Sequence, residues 1–233
     1  MSIKYDNIVP WGRSFDEYIK MFKLSEFDLS KKILGCGDGP ASFNFGMYKL
    51  GKRIISIDPI YQFTKEQIKN KIDEKYEEVI EQTANNKDKF IWTTFSSVEE
   101  LAKIRMNAMK DFLSDYEKGI QEKRYIFAEL PNLPFKNKEF ELVLSAHFLF
   151  FYSENLSYDF HLKSINEMLR VSKEVRIFPI VDLNANVSKY LKRTYQYFSS
   201  KNIEIEEIKV EYEFQKGGNV MVKFLKKESS ESE

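Results

Sequence analysis

The sequence predicts an α/β fold, in which helices cover both faces of a mainly parallel sheet of seven strands. Short apolar runs alternate with amphipathic helical segments along most of the chain. The last two apolar runs, at 203–214 and 220–225, instead follow one another across a Lys-Gly-Gly-Asn turn at 216–219. This arrangement indicates an antiparallel hairpin at the end of the sheet.

Composition sets limits on function before any motif is considered. The 233 residues suffice for one domain with an elaborated insertion, and 36 acidic residues balance 36 basic ones. A chain without net charge has no overall field to attract nucleic acid or an anionic membrane. No apolar run approaches the roughly 18 residues of a membrane span, and the N-terminus lacks the layout of a signal peptide. We therefore expect a cytoplasmic protein with no membrane association and no clear nucleic-acid binding, although local basic patches stay possible.

The first 12 residues have no regular pattern, and a short helix follows them. Ser14 and Glu17 have the spacing of a capping box, and apolar residues recur at helical spacing as far as Phe22. Arg13 and Tyr18 lie in this leading segment. Arg13 is either a surface cation or a ligand contact, and Tyr18 either packs in the core or covers a site.

A glycine-rich turn follows the first predicted strand. The strand ends at Leu34 and leads into Gly35-Cys-Gly-Asp-Gly39, a predicted helix at 40–50 and a second strand at 53–57 that ends on Asp58. Glycines allow a sharp turn and a close approach of ligand to backbone, and an acid about twenty residues later is placed to bind a ribose. The sequence thus indicates a nucleotide-binding βαβ unit, although an ordinary strand-to-helix turn has similar glycines.

An insertion at 62–124 separates the second strand from the third. Capping signals predict one helix from Thr64 to about Ala84 and another from Ser97 to about Lys118. A minimal connection between parallel strands needs far fewer residues. The insertion is either a lid or substrate wall, a partner surface, or an oversized crossover.

The remaining parallel strands are predicted at 125–128, 140–144 and 174–178. Glu129 ends the third strand, and Ser145-Ala-His147 follows the fourth at its carboxyl end, where open α/β sheets bind ligands. Helices are predicted from Ser157 and over 187–200. We expect the tail from Lys226 onward, 226–233, to be disordered because it is rich in Ser and Glu.

Two stretches resemble the class I S-adenosylmethionine-dependent methyltransferases. Residues 34–39, Leu-Gly-Cys-Gly-Asp-Gly, are similar to the first motif of that family, and Asp58 falls where the family has its ribose-binding acid. Residues 128–135 and 140–147 resemble the family's run from the third strand into the fourth. The resemblance covers roughly 31–61 and 125–225, and implies a doubly wound, Rossmann-like domain at 1–225 with S-adenosyl-L-methionine as cofactor.

The resemblance also implies which residues contact the cofactor. Glu129 would bind the adenine amino group, and Leu130 would contact the ring; otherwise Glu129 is a solvated loop carboxylate. The family usually has an acid at the position of Ile33, so Arg13 becomes a candidate for the methionine end of the cofactor. Cys36 is either a small apolar filler or a reactive thiol. The cofactor-binding candidates are Arg13, Gly35, Cys36, Gly37, Gly39, Asp58, Pro59, Glu129, Leu130, Ser145 and Ala146.

His147 is the candidate catalytic residue. An imidazole has a reference pKa near 6.5 and suits proton removal from an acceptor at neutral pH. It serves equally well as a pocket contact or as a hydrogen-bonded packing residue. His161 is expected to be a helix residue, and two histidines with one cysteine give no metal-site spacing.

The resemblance and the composition together favour a methyltransferase for a small molecule. The chain lacks the Asn/Asp-Pro-Pro-Tyr sequence that resembles methylation sites in nucleic-acid enzymes. A protein or RNA methyltransferase is a less favoured alternative. A second alternative is a protein that binds S-adenosylmethionine or S-adenosylhomocysteine without catalysis. A third is a nicotinamide-dependent oxidoreductase, and the terminal hairpin argues against it. The sequence specifies no oligomeric state.

Overall fold

A computed structural model describes residues 2–227 of the protein, and seven strands form its central sheet. The strands are β1 (Ile33–Cys36), β2 (Ile54–Ile57), β3 (Tyr125–Ile126), β4 (Phe140–Ala146), β5 (Ser172–Phe178), β6 (Ile203–Lys209) and β7 (Val220–Lys226). Their order in the sheet is β3-β2-β1-β4-β5-β7-β6. The first five strands are parallel, and β7 is antiparallel to both β5 and β6. The predicted fold is confirmed.

Six α-helices lie within the described residues. They are α1 (Phe15–Phe22), α2 (Phe43–Lys49), α3 (Lys65–Asn85), α4 (Val98–Gln121), α5 (Tyr158–Val171) and α6 (Leu191–Ser199). Ser14 and Thr64 both close complete capping boxes, in which the side chain accepts from a backbone N–H three residues on. These local signals explain why both helix starts were predictable.

The hydrophobic core occupies both faces of the sheet. Alternate residues of a strand point to opposite faces. Leu34 and Val143 thus pack in one cluster with residues of α5 and α6 such as Ile165. Ile33 and Leu142 pack in a second cluster with residues of α1 and α2. Helices on both faces make the sheet doubly wound and leave its carboxyl edge free for a site.

Several strand boundaries differ from the prediction. β1 ends at Cys36 rather than at Leu34, β4 ends at Ala146 rather than at residue 144, and β5 begins at Ser172 rather than at residue 174. β3 ends at Ile126 rather than at residue 128, and β7 includes Lys226, which was assigned to the tail; residues 228–233 lie outside the described residues. β6 ends at Lys209 rather than near residue 214 because the chain beyond it pairs with the insertion. The Ile91 N–H donates to the Phe214 carbonyl at 2.7 Å.

A buried ion pair anchors the insertion to the sheet. The Arg124 guanidinium, just before β3, donates to both carboxylate oxygens of Asp115 on α4 at 2.6 and 2.7 Å. It also donates to Asn44 Oδ1 on α2 at 2.7 Å. Both side chains of the ion pair are 2% exposed, so neither charge has water as an alternative partner.

Asp115→Ala is expected to lower the free energy of unfolding by about 1.5–3 kcal/mol, because it removes two charged hydrogen bonds from the buried Arg124 guanidinium, which then keeps, among the described residues, only Glu122 as an ion-pair partner. Urea denaturation followed by circular dichroism measures this change. The control is Asp73→Ala, which removes an exposed carboxylate paired with Lys69 on α3 and should leave the midpoint almost unchanged. Equal effects of the two substitutions would contradict the anchoring role.

Candidate functional site

A cavity of about 710 Å³ lies at the carboxyl edge of the sheet. Its floor is formed by the loops that follow β1, β2 and β4, so it spans the point between β1 and β4 where the strand order reverses. Ligands of open α/β sheets bind at such switch points. Residues 3–11 of the N-terminal segment and side chains of α3 form its walls.

Nine of the twelve candidate site residues line this one cavity. They come from five regions of the chain, which the fold brings together at the edge of the sheet. These nine are Arg13, Gly37, Gly39, Asp58, Pro59, Glu129, Leu130, Ala146 and His147.

Asp58 fixes the glycine loop, residues 35–39, against the end of β2. Its carboxylate accepts the Gly39 N–H at 2.9 Å and the Ile60 N–H at 2.8 Å. Gly39 has a φ of +52°, and a Cβ built on it would meet only Asp58, at 3.9 Å. The backbone at Gly39 therefore remains open. An ionised carboxylate has about four acceptor positions, so Asp58 retains acceptor capacity toward the cavity.

The other part of the glycine loop corrects the prediction. A Cβ on Gly35 would stand 1.9 Å from Asp38 Oδ2, so the space above Gly35 holds the protein's own carboxylate rather than a ligand. Gly35, Cys36 and Ser145 do not line the cavity. Cys36 is fully buried, and burial raises its thiol pKa well above the usual range, which agrees with an apolar filler. Ser145 is also fully buried within β4.

Asp38 is a cavity residue that the sequence analysis missed. Its Oδ1 accepts the hydroxyl of Tyr18 at 3.0 Å, and both side chains line the cavity. Burial raises the pKa of Asp38 to about 7, against the opposing hydrogen bonds from Ser56 and Tyr18. Burial likewise raises the pKa of Asp58 to about 6, against its two backbone hydrogen bonds. The site thus holds two carboxyl groups whose charge depends on the environment that a ligand supplies.

Arg13 brings an unpaired positive charge to the cavity. One guanidinium nitrogen donates to the Trp11 carbonyl, whereas the buried Nε has no hydrogen-bond partner. No carboxylate among residues 2–227 lies within ion-pair distance of Arg13. Burial and the neighbouring Arg105 lower its pKa. A half-buried guanidinium without an anion is a suitable partner for a ligand carboxylate.

His147 lines the cavity as a neutral side chain. Burial, followed by the charges of Arg13 and Arg105, lowers its pKa well below the usual value. Its ring packs edge-on against Phe151 and Phe178, with centroids 5.1 and 5.3 Å away, and its Nδ1 has no partner. The backbone φ of +48° is rare outside glycine and marks a position that the surrounding structure holds. The other histidine, His161, lies outside the cavity, as predicted, with both ring nitrogens bonded to backbone carbonyls.

A buried network of Glu17, Arg105 and Tyr212 supports one wall. The Arg105 guanidinium, which is part of the cavity lining, pairs with the Glu17 carboxylate and donates to the Tyr212 hydroxyl at 3.0 Å. Tyr212 in turn donates to Glu17 at 3.0 Å. The sequence analysis recognised Glu17 only as a helix cap. The burial of Arg105 is indicated in the sequence by its position on the apolar stripe of α4, between Leu101 and Ala108.

Residues 2–227 contain neither a candidate metal site nor a candidate membrane-spanning helix. Among residues 2–227, no group of three or more His, Cys, Asp or Glu side chains is arranged to hold a metal ion. The same part of the chain contains no helix that is both long and apolar enough to cross a membrane.

The fold and the cavity define a doubly wound α/β protein with a large cavity at the switch point. No family model matches the sequence. The chain is 39% identical over 209 residues to Uncharacterized protein MJ0045 of Methanocaldococcus jannaschii, and the match covers 89% of this chain and 91% of that protein. The chain belongs to the same family as this archaeal protein.

Several solved structures are similar to this chain in fold. A TehB-like SAM-dependent methyltransferase from Corynebacterium glutamicum has a TM-score of 0.49 and 16% identity over 92% of this chain and 88% of its own. The PH0226 protein from Pyrococcus horikoshii has a TM-score of 0.49 and 12% identity over 91% of each chain. Magnesium protoporphyrin IX methyltransferase from Synechocystis, solved with bound SAM, has a TM-score of 0.48 and 11% identity over 91% of this chain and 78% of its own.

Glu17→Gln is expected to lower the free energy of unfolding at neutral pH by roughly 3–5 kcal/mol. The variant should also lose less of its free energy of unfolding than the native chain when the pH is lowered. Burial would raise the pKa of Glu17, but the charge and hydrogen bonds of Arg105 lower it from 4.5 to about 2. A carboxyl group whose pKa is lowered in the folded state stabilises the fold at pH values above its pKa in the unfolded chain. For Glu17 this contribution to stability is lost as the pH falls from about 4.5 toward 2.

Urea unfolding at several pH values between 2 and 7 measures this contribution. Glu26→Gln is the control, because Glu26 is an exposed partner of Lys52 and its loss should leave the native pH dependence in place. An unchanged pH slope in Glu17→Gln would refute the proposed contribution.

Proposed function

We propose that this chain is an S-adenosylmethionine-dependent methyltransferase that acts on a small-molecule acceptor. The observation that carries the proposal is the meeting, in one cavity, of an open glycine backbone, the acid that follows β2 and an unpaired guanidinium. The motif at residues 34–39, which resembles that of the class I methyltransferases, is part of the loop that forms this floor.

The nucleoside end of the cofactor fits the side of the cavity over β1, β2 and β3. Asp58 has remaining acceptor positions for the ribose hydroxyls, and the open backbone at Gly39 lies beside it. Leu130 is a buried apolar residue of the lining. Glu129 is an exposed residue of the same lining, and its carboxylate is available to an amino group. These contacts support binding of an adenine nucleoside.

The amino-acid end requires groups for one carboxylate and one ammonium. Arg13 supplies an unpaired cation, and Asp38 supplies a buried acid in the same cavity. Ile33, which stands where the family usually has its acid, is fully buried in β1 and cannot serve. We therefore assign the carboxylate to Arg13 and the ammonium to Asp38, whose charged form an adjacent cation favours.

When bound, S-adenosylmethionine supplies a methyl group already activated by the positive charge on sulfur. The chain's own residues then have to align the acceptor, exclude water and take up a proton where the acceptor loses one. The N-terminal segment and α3 cover the cavity and exclude water. His147 is neutral and has an unpartnered Nδ1, so it is placed to accept a hydrogen bond from an acceptor hydroxyl or amine. Its lowered pKa makes it a weak base, so proton uptake by His147 requires that the acceptor or the cofactor change its surroundings.

Asp58→Asn is expected to weaken S-adenosylhomocysteine binding by about 10- to 100-fold, since hydrogen bonds to a charged group contribute about 1.5–3 kcal/mol. Isothermal titration calorimetry measures the change. The matched control is Asp182→Asn, because Asp182 also accepts two backbone N–H groups, at 2.8 and 3.0 Å, but lies outside the cavity lining. Unchanged affinity in Asp58→Asn would remove Asp58 from the site.

Arg13→Gln is expected to weaken S-adenosylhomocysteine binding by about 10- to 100-fold while leaving 5′-methylthioadenosine binding nearly unchanged. The second ligand has the nucleoside but no carboxylate, so the comparison isolates the contact assigned to Arg13. Arg53→Gln, which removes an exposed arginine outside the cavity, is the control. An equal loss for both ligands would contradict the assignment.

Calorimetric titration with S-adenosylmethionine, S-adenosylhomocysteine and NAD tests the proposed function. We expect binding of the first two and none of NAD; tight NAD binding without the others would overturn the proposal in favour of an oxidoreductase. Incubation of labelled donor with a metabolite extract then separates catalysis from binding alone. We expect a labelled small molecule, and its absence across broad conditions would favour a protein that binds S-adenosylmethionine without transferring its methyl group.

A further inference from the structure

The cavity continues over β4 and β5 into a part with apolar walls, which we name the acceptor compartment. It lies on the far side of the switch point from Asp58, beside His147. Its wall residues are Phe90, Phe151, Tyr152, Leu183 and Phe214, all of which line the cavity and pack in one hydrophobic cluster. The compartment therefore offers an apolar surface next to the assigned cofactor site.

Backbone hydrogen bonds join the walls of the acceptor compartment. The Ile91 N–H donates to the Phe214 carbonyl at 2.7 Å, which ties the insertion to the loop between β6 and β7. The Leu183 N–H donates to the Phe151 carbonyl at 3.0 Å, which ties the loop after β5 to that after β4. The walls are thus held in place by the protein itself, as expected of a pre-formed ligand site.

Gln215 supplies one polar atom to this apolar site. Its side chain is about nine-tenths buried, with 7% relative exposure, and it lines the cavity. Its Nε2 donates to the carbonyls of Leu183 and Asp182 at 3.0 and 3.4 Å. Both partners are acceptors, which fixes the orientation of the amide and leaves Oε1 as the unpartnered atom. A buried acceptor without a donor costs free energy, and a ligand N–H or O–H removes that cost.

The charges around the compartment favour a neutral ligand. Its five wall residues are uncharged, and Arg105 at its edge is already paired with Glu17. His147 is held neutral, and Arg13 is assigned to the cofactor carboxylate. An ionised ligand against these five walls would lose its hydration without gaining a counter-charge from them. The further charged residues of the whole cavity lining include Lys71, Glu74 and Lys75 on α3.

We propose that the methyl acceptor is a neutral, ring-containing apolar molecule with one N–H or O–H group, and that Gln215 Oε1 accepts a hydrogen bond from that group. The inference rests on the proposed function for the identity of the neighbouring cofactor. Gln215 acts here as a residue that determines specificity, because it distinguishes ligands with a polar hydrogen from those without one.

The test uses three probes of one ring size: 2-naphthol, 2-methoxynaphthalene and 2-naphthoate. Calorimetry is done on the full chain saturated with S-adenosylhomocysteine. We expect 2-naphthol to bind about tenfold more tightly than each of the other two, because only it is neutral and donates a hydrogen bond. Gln215→Leu should bring 2-naphthol to within about twofold of 2-methoxynaphthalene and leave S-adenosylhomocysteine affinity unchanged. Gln196→Leu, an exposed glutamine on α6 outside the cavity, is the matched control.

Two results with the native chain would overturn the inference while leaving the proposed function intact. One is equal affinity for 2-naphthol and 2-methoxynaphthalene, and the other is a higher affinity for 2-naphthoate than for 2-naphthol. If none of the three probes binds to the chain saturated with S-adenosylhomocysteine, the inference is likewise overturned. Failure of S-adenosylhomocysteine itself to bind would instead refute the proposed function.

A crystal structure of the native chain with S-adenosylhomocysteine and 2-naphthol avoids dependence on the folding of the Gln215→Leu variant. The naphthol oxygen within hydrogen-bond distance of Gln215 Oε1 would support the inference. A naphthol bound elsewhere would overturn it.

Discussion

The buried contact between Arg105 and Glu17 is the interaction on which the walls of the cavity depend. Glu17 belongs to α1, Arg105 to α4 in the insertion, and Tyr212 to the loop between β6 and β7. Burying two charges costs several kcal/mol, and the cost is offset only when both charges are well bonded. Here each of the three side chains bonds the other two. The same contacts join three distant parts of the chain around the carboxyl edge of the sheet.

The cavity has a polar part and an apolar part, and they lie on opposite sides of the switch point. Asp38 and Asp58 provide acidic groups on one side, and the aromatic walls provide no charge on the other. Arg13 lies within electrostatic range of residues on both sides, Tyr18 and Tyr152. His147 lies where the two parts meet, and its ring contacts Phe151 and Phe178. This division agrees with the proposed reaction between a charged donor and an apolar acceptor, in which His147 would lie near their boundary.

Local signals made the strands, the helix starts and most of the cavity floor predictable. The strand-to-helix turn at Gly37 and Gly39 and the acid at Asp58 are encoded by residue type and spacing, and nine of the twelve candidates line the cavity. Gly35 was selected for the wrong reason, because only the fold shows that Asp38 occupies the space above it. Arg105 and Gln215 depend on contacts between distant segments, which no local pattern encodes.

The acceptor compartment has its walls in the insertion and in loops after β4, β5 and β6, whereas the floor assigned to the cofactor follows β1, β2 and β3. None of its wall residues belongs to a strand of the sheet. Mutation of these positions therefore changes the shape of the compartment without disturbing Asp58 and the glycine loop on the other side of the cavity. Within one family, such a separation lets the lining on one side of the cavity diverge among related proteins while the lining on the other side is retained.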